Sequence, residues 1–174
     1  MNLIKLFAFV SSAALLGCAD SHSLNVTDAN SNIKLTPDTA VYISLSKDGE
    51  YGDHYYSGSG QMVSQIIQGE LVTRLNNVVI AQKPESYASA LQFASERKFD
   101  YLVYPTILHW EDRSTEWSAK PDKVKVKISV IDVKQKSTIK AGIIDGKSGL
   151  ATFGGDKPQD LLPEPTKEFF SDLL

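Results

Sequence analysis

Residues 123–130 read Lys-Val-Lys-Val-Lys-Ile-Ser-Val, an unbroken alternation of polar and apolar side chains. Only an extended strand places every second residue on one side. Val124, Val126, Ile128 and Val130 must therefore share a buried face while Lys125, Lys127 and Ser129 meet water. Such a strand needs paired neighbours and a covering layer, and the rest of the chain contains both. Residues 41–45 are a short β-rich run. From 60 to 75, Val63, Ile66, Ile67, Leu71 and Leu75 recur at helical spacing, with Ser59 as the expected N-cap and Gly69 expected to allow close packing on the sheet. Residues 78–81 read as a buried strand. Residues 86–98 read as a helix with Tyr87, Ala90, Leu91 and Ala94 on one face. Residues 99–108 return to a strand, whose continuation through Trp110 to Trp117 would turn at 119–122 into a long antiparallel hairpin. Residues 138–144 form a further strand, and 164–174 a closing helix with Phe169, Phe170 and Leu173 inward. The expected order is β-α-β-α-β-β-β-α: an α/β (α+β) fold with a mixed sheet and helices packed on it.

The front of the chain has a different character. Lys5 is followed by an apolar run from Leu6 to Leu16, too short to span a bilayer and of the form of a secretory signal. It ends in Leu15-Leu16-Gly17-Cys18, and Cys18 is the single cysteine. That ending resembles the lipobox of bacterial lipoproteins. The resemblance implies removal of residues 1–17, a diacylglycerol on the Cys18 sulfur and an acyl chain on its new amino group. The other reading is an ordinary secreted protein with one free thiol. Residues 18–37 are polar and aperiodic and are expected to be a flexible tether with a reach of roughly 25 Å, leaving 38–174 as one domain. Ala19, where inner-membrane lipoproteins commonly carry Asp, implies by the same resemblance sorting to the outer membrane facing the periplasm; Asp20 stands one place later. Without Lys5 the 18 basic residues become 17 against 21 acidic ones, which argues against a nucleic-acid footprint.

The densest polar and aromatic segment is His109-Trp110-Glu111-Asp112-Arg113-Ser114-Thr115-Glu116-Trp117. ILHWEDRSTEW, with PDKVKVKISVIDV after it, resembles an uncharacterised family of bacterial lipoproteins defined only as a domain of unknown function. That family has no activity to carry over. More distantly, the strand order and the FDYLVYPTI turn are similar to envelope lipoproteins such as the curli secretion component and the activator of a penicillin-binding protein. They are also similar to the N-terminal domain of the Tol-system propeller protein. These likenesses imply a partner-binding module. From the residues alone, alternation separates Trp110, Asp112 and Glu116 from His109, Glu111, Arg113 and Trp117. One reading is a ladder of ion pairs with Lys123, Lys125 and Lys127; the other is a recognition surface, since Trp and Arg are frequent interface hot spots.

The glycine- and tyrosine-rich loop 51–60 is the second candidate, as it enters a helix N-terminus where amides can hold an anion. It lacks the Gly-Lys-Ser/Thr ending of a P-loop. The residues expected to bind are Trp110, Arg113, Trp117, Tyr55 and Tyr56, with Cys18 as the lipidation site. His22, His54 and His109 have no mutual ligand spacing, and no nucleophile motif is present. The expectation is a non-catalytic, lipid-anchored protein that needs no cofactor or metal and binds another envelope component. Small-molecule or glycan binding is the alternative.

Overall fold

The structure, a computed structural model, describes residues 20–29, 33–113, 120–149 and 157–174. Its strands are β1 (Ser21–Ala29), β2 (Ala40–Leu45), β3 (Gly49–Tyr51), β4 (His54–Tyr56), β5 (Asn77–Pro84), β6 (Tyr101–Glu111), β7 (Lys123–Asp132) and β8 (Ser137–Lys147). Its helices are α1 (Ser59–Leu71), α2 (Tyr87–Glu96) and α3 (Pro163–Phe170), the last preceded by a 3-10 turn at Pro158–Leu161. Six strands form one mixed sheet in the order β1-β8-β7-β6-β2-β5, and β3 and β4 form a separate hairpin. β2 runs parallel to both β5 and β6, while β6, β7, β8 and β1 pair antiparallel. The fold is the expected mixed sheet with helices packed on it, enlarged by β1, β3 and β4.

Within 18–37, expected to be a flexible tether, residues 21–29 form the strand β1. That strand carries only Leu24 and Val26 as large apolar residues, too few to show a pattern. An edge strand, however, is held mainly by its backbone: Ser21 stands opposite Lys147 and Val26 opposite Gly142. Leu24 adds side-chain packing against the core.

Two clusters fill the two sides of the sheet. On one side Val63, Ile67 and Leu71 of α1 and Phe169 and Phe170 of α3 pack on Val41, Ile43, Val103 and the whole Val124–Val126–Ile128–Val130 row. On the other, Ala90 and Ala94 of α2 pack on Tyr42, Leu102 and Ile131. The β2–α1–β5 and β5–α2–β6 connections thus lie on opposite faces. α2 covers only part of its face, so Lys123 and Lys127 look out from the remainder. Burying a side chain of Val, Ile or Phe size stabilises by about 1.5–3 kcal/mol, and the larger cluster carries most of them.

Local details depart from sequence expectation. Ser59 is the first helical residue of α1, not its cap. Gly58 stands at the cap position with φ +86°, a conformation that costs glycine little, and the Ser59 hydroxyl instead accepts the Gly49 amide at 2.8 Å. Gly69 does not pack on the sheet: it is exposed, and a methyl group there would meet no atom within 4 Å. Lys140 is buried on β8. Its ammonium donates to the Phe169 carbonyl and pairs with Asp172, neutralising the negative end of α3.

Candidate functional site

The site is built where the parallel strands end. β2 stops at Leu45, whereas β6 runs on to Glu111 and pairs with β2 only as far as Val103. The chain leaving β2 crosses over β6 as the β3–β4 hairpin. Gly49 permits this crossing, because a Cβ there would lie 2.4 Å from the Trp110 Cβ. A register shift between Ile107 and His109 marks a bulge at Leu108. Below the bulge Val103 and Ile107 face the α1 side. The extra residue resets the alternation, so Trp110 faces that side too, opposite Val124. Trp110 is 2 % exposed, and Leu108 projects to solvent.

A cavity of about 690 Å³ opens between the hairpin, residues 104–109 of β6 and the start of α2 at Glu85, Ser86 and Tyr87. It lies at the carboxyl ends of β2 and β5, with α1 and α2 diverging to opposite faces. Open α/β sheets bind ligands in such a place. The Tyr87 and Tyr104 rings meet edge to face at 5.5 Å. Tyr42 donates to Glu85 Oε2 at 2.7 Å, and burial together with this carboxylate pushes the Tyr42 phenol far above its usual range. Across Leu108 a second, shallower recess of about 420 Å³ is lined by Tyr51, His109, Glu111, Lys123, Lys125 and Asp145.

Glu111 is the buried charge of this second recess, at 2 % exposure. It is paired with Arg113, lies 3.3 Å from His109 Nε2 and 3.9 Å from Lys123 Nζ. Arg113 also donates its amide to Asp122 Oδ1 at 2.6 Å. Burial raises the Asp122 carboxyl above its ordinary value, and that amide only partly offsets the effect. Arg113 is therefore occupied within the fold. The nearby Lys125 pairs with Asp145 on β8 at 2.7 Å.

The glycine-rich loop already holds an anion, and it is the protein's own. Asp48 accepts the amides of Gly58 at 3.1 Å and Gly60 at 2.8 Å, and the Tyr55 hydroxyl at 3.0 Å. Burial alone would raise the Asp48 carboxyl; the two amides and the phenol outweigh it and hold it below its usual range. The same bond raises Tyr55. A phosphate would have to displace Asp48.

The family model for a domain of unknown function, DUF4823, matches residues 33–173. The chain belongs to the DUF4823 family. No curated protein matches the sequence. Among solved structures, the PelC dodecamer from Paraburkholderia phytofirmans is similar at 15 % identity and TM-score 0.66, over 88 % of this chain and 97 % of that one. A single-substitution form of the same dodecamer is similar at 14 % and 0.66, over 88 % and 98 %. Protein XCC0632 from Xanthomonas campestris overlaps more loosely, at 10 % identity and TM-score 0.48, over 78 % of this chain and 88 % of that one.

In this DUF4823 domain the expected binding residues separate. Trp110, expected among the binding residues but also as the more buried tryptophan, is turned into the core by the bulge and offers almost no surface to a partner. Arg113 is half-buried and tied to Glu111. Tyr56 is half-buried, its hydroxyl 3.5 Å from the Asp112 carbonyl. Tyr55 is 66 % exposed. Trp117 and Cys18 lie outside the described residues. Sequence reasoning missed Leu108 and Tyr87 as surface residues. Tyr51, Tyr55, Tyr87 and Leu108 are half the exposed large apolar side chains among the described residues; Tyr51, Tyr87 and Leu108 line the two recesses, and Tyr55 is bonded to Asp48 at the edge of the larger one. Tyr51 lay in the flagged loop, but no signal marked the bulge that exposes Leu108.

Proposed function

We propose that this chain is a lipid-anchored protein of the periplasmic side of a bacterial outer membrane. In this reading it binds another envelope component through the Tyr51–Leu108–Tyr87 surface and performs no chemistry. The observation that carries the reading is the gathering of exposed aromatic and apolar side chains along the two recesses that meet at Leu108. Scattered apolar residues are normal on a surface, whereas contiguous ones mark contact sites. The Leu-Leu-Gly-Cys18 ending supports the anchor, and no helix among the described residues is long and apolar enough to cross a membrane. PelC, with the same fold, is a dodecamer, so a further copy of the chain is one candidate occupant.

A photo-crosslinking residue at Leu108 in living cells tests the surface. It should capture a defined envelope partner, or a second copy, that the same residue at exposed Val72, just after α1, does not. Leu108→Asp should abolish that adduct without lowering the melting temperature. Equal capture from both positions would discard the surface. Labelled palmitate entering the wild type but not Cys18→Ser tests the anchor. The glycan alternative is favoured by the Tyr87–Tyr104 pair within the 690 Å³ cavity. A saccharide that raises the melting temperature of wild type but not of Tyr87→Ala would select it.

A further inference from the structure

Four residues of four different strands lie in one row across the sheet. Ser21 of β1 stands opposite Lys147 of β8, Lys147 opposite Lys123 of β7, and Lys123 opposite Glu111 of β6. The row marks one end of the sheet. The chain entering β1 is fastened there, because Asp20 accepts the Gly149 amide at 3.0 Å. Cys18 is two residues earlier, and two residues of extended chain reach at most about 7 Å. A lipid on Cys18 would thus hold this end against the bilayer, not the whole domain on a 25 Å leash.

Among the described residues, the cations that project to solvent at this end include Lys123 and Lys147, while Arg113 is paired with Glu111. Of the acids nearby, Glu111 and Asp122 are buried, Asp112 is half-buried, Asp145 is paired with Lys125, and Asp20 is exposed with the Gly149 amide on its carboxylate. Lysines within reach of an anionic leaflet strengthen contact by about fivefold each. Charge alone does not choose the end, since Lys134 and Lys136 lie in the β7–β8 turn at the other. The position of the anchor does. We propose that the domain stands with the Ser21–Lys147–Lys123 end on the membrane, its lysines on anionic lipid headgroups. This rests on lipidation of Cys18. The β7–β8 turn would then point about 30 Å away from the leaflet, the length of a ten-residue strand.

The test uses the full, processed protein in phosphatidylethanolamine–phosphatidylglycerol vesicles that carry a spin label on the headgroup. A fluorophore is placed at Lys123→Cys, Lys147→Cys or Gln135→Cys, and the mass of the Cys18 peptide is measured on the same sample. The expected result is quenching several-fold stronger at 123 and 147 than at 135. Lys123→Glu with a probe at 147 should lose quenching while the protein stays with the vesicles, and replacing phosphatidylglycerol by phosphatidylcholine should do the same. Equal quenching at all three positions, or stronger quenching at 135, with the lipid mass present overturns the orientation and leaves the anchor standing. Absence of the lipid mass overturns the anchor and the orientation together.

Discussion

Replacing Asp48 with alanine isolates the device that organises the candidate site. The carboxylate satisfies two amides at the start of α1 and orients Tyr55. A hydrogen bond to a charged group contributes about 1.5–3 kcal/mol, and losing a helix cap costs about 0.5–2 kcal/mol. Asp48 is partly exposed, so water replaces some of what is lost, and the net cost should be about 2 kcal/mol. At about 3 °C per kcal/mol for a domain of this size, the melting temperature should fall by about 6 °C. Asp48→Asn keeps an acceptor and should lose about half as much. The pH dependence has a defined sign. The fold lowers the carboxyl below its ordinary value, so its contribution is complete above about pH 4 and disappears as pH falls through the folded value. The gap between wild type and Asp48→Asn should therefore narrow in acid. Added sulfate should stabilise Asp48→Ala more than wild type, because the freed Gly58 and Gly60 amides would donate to it. Calorimetry with sulfate and pH series measures all three effects. A gap that widens below pH 4, or sulfate acting equally on both proteins, would refute the capping account.

Trp110→Ala should destabilise by about 3–5 kcal/mol, and denaturant unfolding should show it, whereas Tyr55→Ala should stay within about 1 kcal/mol because that ring is mostly in water. Arg113→Ala strips the main partner from buried Glu111 and should cost about 2–3 kcal/mol; adding Glu111→Gln should restore part of the loss, which a double-mutant cycle reads directly. Gly69→Ala, at an exposed position with room for the methyl group, should stabilise by up to about 1 kcal/mol, and an unchanged or lower melting temperature would contradict the open space there.

Where residues repeat with a period, the sequence was legible. The 123–130 alternation became β7 with its four apolar residues in one cluster, and the 63–71 periodicity became the inner face of α1. Phe169, Phe170 and Leu173 went inward as their spacing demanded. Legibility failed where structure depends on backbone pairing or on one inserted residue. β1 carries too few apolar side chains to show a period. The Leu108 bulge leaves no compositional mark, yet it decides which of the two sides read from alternation, that of Trp110 or that of His109 and Glu111, is turned into the core beside Val103 and Ile107. The same limit applied to Arg113, which looked like a contact residue because its carboxylate partner two positions earlier on the same face gives no sign of being buried. That amides at this helix start can hold an anion was legible in the glycine-rich loop. The source of that anion, a side chain ten residues before the Gly58 amide, was not.

The way β1 is held also sets an order of events. Ser21 bonds to Lys147, 126 positions later, and the Leu35 amide is taken by the Leu173 carbonyl. Both bonds join the front of the chain to its last third, and the core beneath them is completed by Phe169 and Phe170. Ribosomes deliver residues from the front, so the leading strand must wait, unpaired and soluble by virtue of its serines and asparagine, until the late strand and helix emerge. Contacts of such separation slow folding. Under the proposed export of this chain, that delay would keep the first strand open until the residues that lock it have emerged.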